Sequence, residues 1–245
     1  MCGRFTREMT WAEVVAFTRG LDLIVPETEP EQSWNVCPTQ DSPVLLPQKE
    51  GEGAVVANLR WGLLPPWAKD PKIGASMINA RYETVAEKPA FRKAWVSRRC
   101  LVPASGYYEW RLEHGIKQPY FIHDLDSPVL MFAGLYEHWK QPDGEWLRTF
   151  ALITRAAVDP MSQLHDRTPL MLHAQSPELK GWLHGDAADA KAIADAAVPP
   201  RLIWHPVTRA VSNPRSNGRA LVDPVPLPPP PPPEPEEPRS ASLFD

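Results

Sequence analysis

Proline sets the limits of what this chain can fold into. Ten of its thirty prolines fall between Pro224 and Pro238, and a segment so poor in backbone donors and large apolar side chains cannot bury a core. Residues 224–245 are therefore expected to form a disordered or polyproline II tail, acidic through Glu234, Glu236, Glu237 and Asp245. A proline-recognising partner could bind such a run, although a solvated appendage is the plainer reading. What remains, residues 1–223, is long enough for a single well-buried domain.

The formal charge of −4 is mostly the tail's. Without it the body carries 25 basic and 26 acidic groups, a balance that permits a local basic groove. Arginines lie close to the polar motifs described below, at positions 4, 81, 98, 99, 167, 209, 215 and 219. No stretch approaches the ~18 apolar residues of a membrane span, and the first residues lack the basic-then-apolar pattern of a secretory signal. A cytoplasmic protein with no membrane partner is expected. Its three cysteines, Cys2, Cys37 and Cys100, form neither a disulfide framework nor a metal-ligand spacing, so no metal and no organic cofactor is expected.

Short runs of β-branched and aromatic residues read as strands at Val44–Leu46, Ala54–Trp61, Arg99–Val102, Tyr107–Trp110, Pro119–Ile122, Val129–Phe132, Phe150–Thr154 and Leu202–His205. Thr10 followed by Glu13 makes a capping box for a short helix. Further helices are predicted from about Glu87 to Val96, from Ser176 with Pro177 in the first turn, and after Asp186. Strands outnumber helices without regular βαβ alternation. This predicts an α+β fold, a single domain around a mainly antiparallel, barrel-like sheet with flanking helices.

The second residue carries unusual chemistry. Removal of Met1 would leave Cys2 with an α-amine of pKa ~7.7–8.0 beside a thiol of pKa ~8.5. The amine can attack an aldehyde to form a Schiff base, and the thiol can then add to the imine carbon and close a thiazolidine ring. Alone, a second-position cysteine is weak evidence for this reaction.

The motifs that follow strengthen it. They are Cys2-Gly3-Arg4-Phe5, Trp34-Asn35-Val36-Cys37-Pro38-Thr39-Gln40, Arg60-Trp61-Gly62-Leu63-Leu64-Pro65, and Ile78-Asn79-Ala80-Arg81-Tyr82-Glu83-Thr84. Next come Arg99-Cys100-Leu101-Val102-Pro103-Ala104, Gly106-Tyr107-Tyr108-Glu109-Trp110, Leu164-His165-Asp166-Arg167-Thr168-Pro169 and Trp204-His205-Pro206-Val207-Thr208-Arg209-Ala210-Val211. In this order they resemble the SRAP family, the SOS-response-associated peptidase domain, over residues 2 to about 223. The resemblance implies that Cys2 captures the aldehyde of an abasic deoxyribose in single-stranded DNA, shielding the lesion during the DNA damage response. It also implies catalytic roles for Asn79, Glu109 and His165, autoproteolytic removal of Met1, and a lyase activity. A monomer is expected, associated with the bacterial nucleoid at lesions.

The residue chemistry suits those roles. Glu109 could accept a proton from the amine or orient it, His165 can exchange protons near neutral pH, and Asn79 offers both a donor and an acceptor. Outside the resemblance, each has a plainer reading: a strand-edge charge, a packed histidine, a turn residue. For DNA contacts the candidates are Arg4, Arg81 and Arg167, which share motifs with Cys2, Asn79 and His165. Trp67 is placed as a stacking or wedging aromatic, and Pro38 joins the wedge by resemblance. Trp61 and Trp110 are expected in the core.

Two positions depart from the family pattern: Cys37, where alanine is common, and Thr168, where methionine or arginine is common. Cys37 reads as a buried thiol and Cys100 as a core strand residue. Two other functions remain open on sequence grounds, a thiol peptidase acting on other proteins through Cys2, His165 and Glu109, and a non-covalent single-strand DNA-binding module.

Overall fold

A computed structural model describes residues 2–173, 177–227 and 229. Among them the strands are β1 (Phe5–Arg7), β2 (Leu23–Ile24), β3 (Ser33–Val36), β4 (Asp41–Pro47), β5 (Ala54–Trp61), β6 (Asn79–Arg81) and β7 (Arg99–Ala104). They continue with β8 (Gly106–Glu113), β9 (Ile116–Asp124), β10 (Leu130–Lys140), β11 (Trp146–Ala156), β12 (Arg167–Pro169), β13 (Met171–Leu172) and β14 (Leu202–Pro206). The helices are α1 (Trp11–Phe17), α2 (Arg92–Ser97), α3 (Pro177–His184) and α4 (Ala187–Ala196).

Five strands close on themselves. β7 pairs antiparallel with β4 and β10, β4 with β5, and β10 with β11. A parallel pairing of β11 with β5, Phe150 opposite Trp61, completes the ring. The expected α+β fold around a mainly antiparallel barrel is thus the observed one. A second, wholly antiparallel sheet runs β14-β9-β8-β1-β3.

Whereas β5 exposes Asn58 and Arg60, the first half of β10, from Leu130 to Leu135, is buried on both faces and so reads as a continuous apolar run. Its Leu130 and Phe132 join one core with Phe5, Trp61, Tyr107 and Phe150, while Met131, Ala133 and Leu135 join the other with Trp95 and Trp182. The first core packs the barrel against the second sheet through aromatic contacts: Phe5 with Trp61 at 5.0 Å between ring centroids, and Tyr107 edge-on to Phe132 at 5.9 Å. The second core holds the helices.

Arg99 links those helices to the barrel. From a buried position its guanidinium donates to the carbonyls of Trp95 and Val96 in α2, Trp182 in α3 and Gly185 just beyond it. A cation thus satisfies carbonyls that the ends of two short helices would otherwise leave unpaired. It belongs to the core, not to a basic groove.

The expected capping box of Thr10 with Glu13 opens α1, and a second one, Asp186 with Asp189, opens α4. The helix expected from Glu87 is shorter, running only from Arg92, because Pro89 disfavours helical geometry at Lys88 and lacks an amide to donate. α3 begins at Pro177; Ser176 lies outside the described residues, as does most of the proline-rich tail. At the tail's start, Pro224 bridges Val207 and the Val225 amide donates to the Pro206 carbonyl at 2.9 Å. Among the described residues no helix is long and apolar enough to cross a membrane.

Candidate active site

β11 acts as the spine of the site. Along one edge it pairs with β5 up to Phe150, and the chain then leaves β5 at Gly62, whose amide donates to the Phe150 carbonyl at 2.8 Å. Gly62 has φ +123°, and a Cβ there would lie 2.5 Å from the Gly74 carbonyl oxygen. No other residue fits that turn. The vacated edge of β11 is taken by β6, with Asn79 opposite Leu152 and Arg81 opposite Thr154.

From β6 the Asn79 side-chain amide donates to the Cys2 carbonyl at 2.7 Å. Its Oδ1 is buried and has no hydrogen-bond partner among the described residues, an acceptor facing the site unused. Cys2 itself leads into β1, where Phe5 lies opposite Tyr107 and the Tyr108 amide donates to the Arg4 carbonyl. Continuing that antiparallel register puts Gly3 opposite Glu109, so that Cys2 is one residue from the carboxylate's partner position.

Alternation along β8 puts Tyr107 and Glu109 on one face, the first in the core with Cys2 and the second beside it. Glu109 is only 2% exposed. Burial raises its carboxyl pKa to about 7, so both protonation states are populated near neutrality. The Cys2 thiol is fully buried, and burial followed by the negative charge of Glu109 pushes its pKa far above the ordinary thiol range. It donates a weak hydrogen bond to the Arg4 carbonyl, 3.8 Å.

His165 follows a single 3₁₀ turn, Met161–Gln163, with its amide bonded to the Met161 carbonyl. Its Nε2 lies 3.5 Å from Glu109 Oε2. Its Nδ1 lies 2.9 Å from the Arg167 amide, which donates to it, and 2.9 Å from Asp166 Oδ1. Burial lowers the ring's pKa. Four distant segments thus meet as two contacting pairs, Asn79 with Cys2 and Glu109 with His165.

The profile of the family described as SOS response associated peptidase (SRAP) matches residues 1–214. The chain belongs to the SRAP family. Its sequence is 39% identical over 227 residues to the abasic site processing protein YoqW of Bacillus subtilis, covering 91% of this SRAP chain and 99% of the relative. It is 32% identical over 236 residues to the abasic site processing protein YedK of Escherichia coli, covering 92% and 100%. A crystal structure of a Bacteroides thetaiotaomicron protein shares the fold with TM-score 0.72 at 24% identity, covering 91% of this chain and 100% of that one.

The three arginines expected at DNA have different surroundings in the SRAP fold. Arg167 is buried and grips both Glu83 carboxylate oxygens, at 2.6 and 2.9 Å, and the Thr154 carbonyl at 2.7 Å. That guanidinium is a fastener between β12, β11 and the segment after β6. Arg4 is likewise engaged, donating to Asn35 Oδ1 and to the carbonyls of Val211 and Ser212. Arg81 is exposed and, two residues from Asn79 on β6, shares its face.

Trp67 is 56% exposed, on a loop anchored where the Trp139 indole donates to the Ala68 carbonyl at 2.7 Å. Pro38 is half-buried, just before Thr39 with its left-handed φ of 70°. Trp61 is fully buried, whereas Trp110 is only half-buried and its indole donates to Ser212 Oγ. Cys37 and Cys100 are buried free thiols. Sequence reasoning passed over Asp166 and Tyr107; the latter's hydroxyl lies 3.2 Å from Thr168 Oγ1. Their membership of the His-Asp-Arg and Gly-Tyr-Tyr-Glu motifs was the available signal.

Proposed function

We propose that this protein processes abasic sites in single-stranded DNA by forming a covalent bond to them through Cys2, once Met1 has been removed. The observation that carries the reading is the placement of Cys2 between Asn79 and a carboxyl whose pKa burial raises to about 7.

The neutral α-amine of Cys2 attacks the lesion's open-chain aldehyde to give a carbinolamine. Glu109, protonated, donates to the carbinolamine hydroxyl, which leaves as water and yields an iminium ion. The Cys2 thiol then passes its proton to the Glu109 carboxylate and its sulfur bonds to the iminium carbon. The result is a thiazolidine, with one water released and Glu109 returned to its acid form. A group titrating near the working pH suits both transfers. His165, facing Glu109, exchanges protons with the sugar hydroxyl as the deoxyribose ring opens. Asn79 holds the Cys2 carbonyl and so fixes the direction of attack.

The raised thiol pKa argues against a peptidase acting on other proteins, because such an enzyme needs its thiolate ready at neutral pH. Here the thiol is protonated when the amine strikes, which suits second addition to an iminium. Exposed Arg81 and Trp67 supply a phosphate contact and a stacking face.

The test is incubation with single-stranded DNA holding one abasic site, followed by intact mass and denaturing-gel mobility. Wild type lacking Met1 is expected to form a denaturation-resistant adduct heavier by the DNA less one water, and Cys2→Ala none. No adduct from processed wild type, or an equal adduct from Cys2→Ala, would overturn the proposal.

A further inference from the structure

One nitrogen in this site has two partners of opposite kind. His165 Nδ1 lies 2.9 Å from the Arg167 amide, a donor, and 2.9 Å from Asp166 Oδ1, an acceptor. It cannot serve both at once. With its lone pair bare it accepts from the amide; with a proton it donates to the carboxylate. We propose that Asp166 is a positioning residue for His165, competing with the Arg167 amide for Nδ1 so that a ring held in one place presents Nε2 as either a proton donor or a proton acceptor.

The two arrangements differ at the far nitrogen. When the amide holds Nδ1, the single proton of the neutral ring sits on Nε2, 3.5 Å from Glu109, and can be given up there. When Asp166 holds Nδ1–H, Nε2 carries the lone pair and can take a proton from a substrate hydroxyl. The imidazolium formed has Nδ1–H on Asp166 and Nε2–H toward Glu109. Returning the Nε2 proton restores the starting ring. A half-turn of the ring would replace Nδ1 with carbon and lose both partners, so the two states share one orientation.

The amide is fixed by the backbone where β12 pairs with β11. Asp166 is not: its side chain is 84% exposed, free to engage or withdraw. It is the movable member of the pair. The remaining charged groups around the ring are Glu109, the amino terminus and the Arg167 guanidinium, the last already held by Glu83. The inference rests on the proton-transfer role proposed above for His165, but its first readout needs no DNA.

That readout is the ¹⁵N chemical shift of the two His165 nitrogens at a pH where the ring is neutral. Wild type is expected to show an Nδ1 shift between the protonated and bare values. Asp166→Ala should move it fully to the bare value, and Asp166→Glu should restore it. With abasic DNA, Asp166→Ala should slow adduct formation about tenfold, short of the ~10²-fold or more that removal of a general acid–base costs, with an unchanged melting temperature. A wild-type Nδ1 already fully bare, an Asp166→Ala shift identical to wild type, or a rate loss matched by loss of melting temperature would each overturn the assignment. Absence of any adduct in wild type would strike the proposed function, while the tautomer shift would still decide this one.

Discussion

The side chain of Asn79 holds the main-chain carbonyl of Cys2 at 2.7 Å, so the orientation of the second residue depends on a strand that begins far along the chain. Because this bond fixes backbone and not the thiol, its loss should alter where the amine points without changing what it is. Asn79→Ala is expected to slow adduct formation on the order of 10²-fold, as a misplacement of reacting groups by about 1 Å does. Stability should fall by only about 1 kcal/mol. Single-turnover kinetics beside urea unfolding separates the two effects.

Glu109 makes the fold pH-sensitive in a direction opposite to most carboxylates. Its folded pKa of about 7 lies above the ordinary 4.5, so the folded state holds its proton more tightly than the unfolded state does. The stability this confers is complete below ~4.5 and is lost as pH rises through about 7. Glu109→Gln removes the titration. It is expected to stabilise the protein relative to wild type at pH 8 by up to about 3 kcal/mol, with the difference vanishing near pH 4. Urea midpoints at the two pH values check the sign, and an equal gain at both would refute it.

Arg167 and Arg81 should separate cleanly. Truncating Arg167 to Met takes the guanidinium from the Thr154 carbonyl and from Glu83, which keeps the Ala156 amide, at a cost of about 2 kcal/mol or more. Arg81→Ala, at an exposed position, should leave stability within about 0.5 kcal/mol. Its effect belongs in DNA binding, where losing one phosphate contact lowers the slope of log K against log salt by about 0.7 for a single strand. Fluorescence titrations across a salt series, with thermal melts of both variants, test the pair.

For Trp67, more than half exposed on its anchored loop, replacement by alanine removes a stacking face. The expected loss is about 1–3 kcal/mol of single-strand affinity without loss of stability. Unchanged affinity would mean that the DNA path avoids this loop.

Legibility in the sequence followed length and periodicity. β5 was read to its observed limits, Ala54–Trp61, and the cores of β7, β8 and β10 were visible as apolar runs. β1, β3, β6 and β12 were not, since three or four residues hold too few repeats to show a period, and β6 owes its existence to the edge of β11. Among site residues, Cys2, Asn79, Glu109 and His165 could be picked by motif. The surroundings of the arginines could not: Arg167 and Arg81 look alike in a string of letters, and only folding sets one against Glu83 and leaves the other in solvent. The Glu83 that claims Arg167 stands in the same motif as Arg81, but nothing local says which cation it will meet.

The double use of β11 has a last consequence. The strand that seals the barrel by pairing with β5 also seats β6 and, through β12, the segment bearing His165. Sealing and arming are therefore one event. In the proposed reaction, a partly unfolded chain that has lost Met1 displays the amine and thiol of Cys2 without the groups that direct them, and is expected to have no more selectivity for a DNA lesion than free cysteine has for any aldehyde.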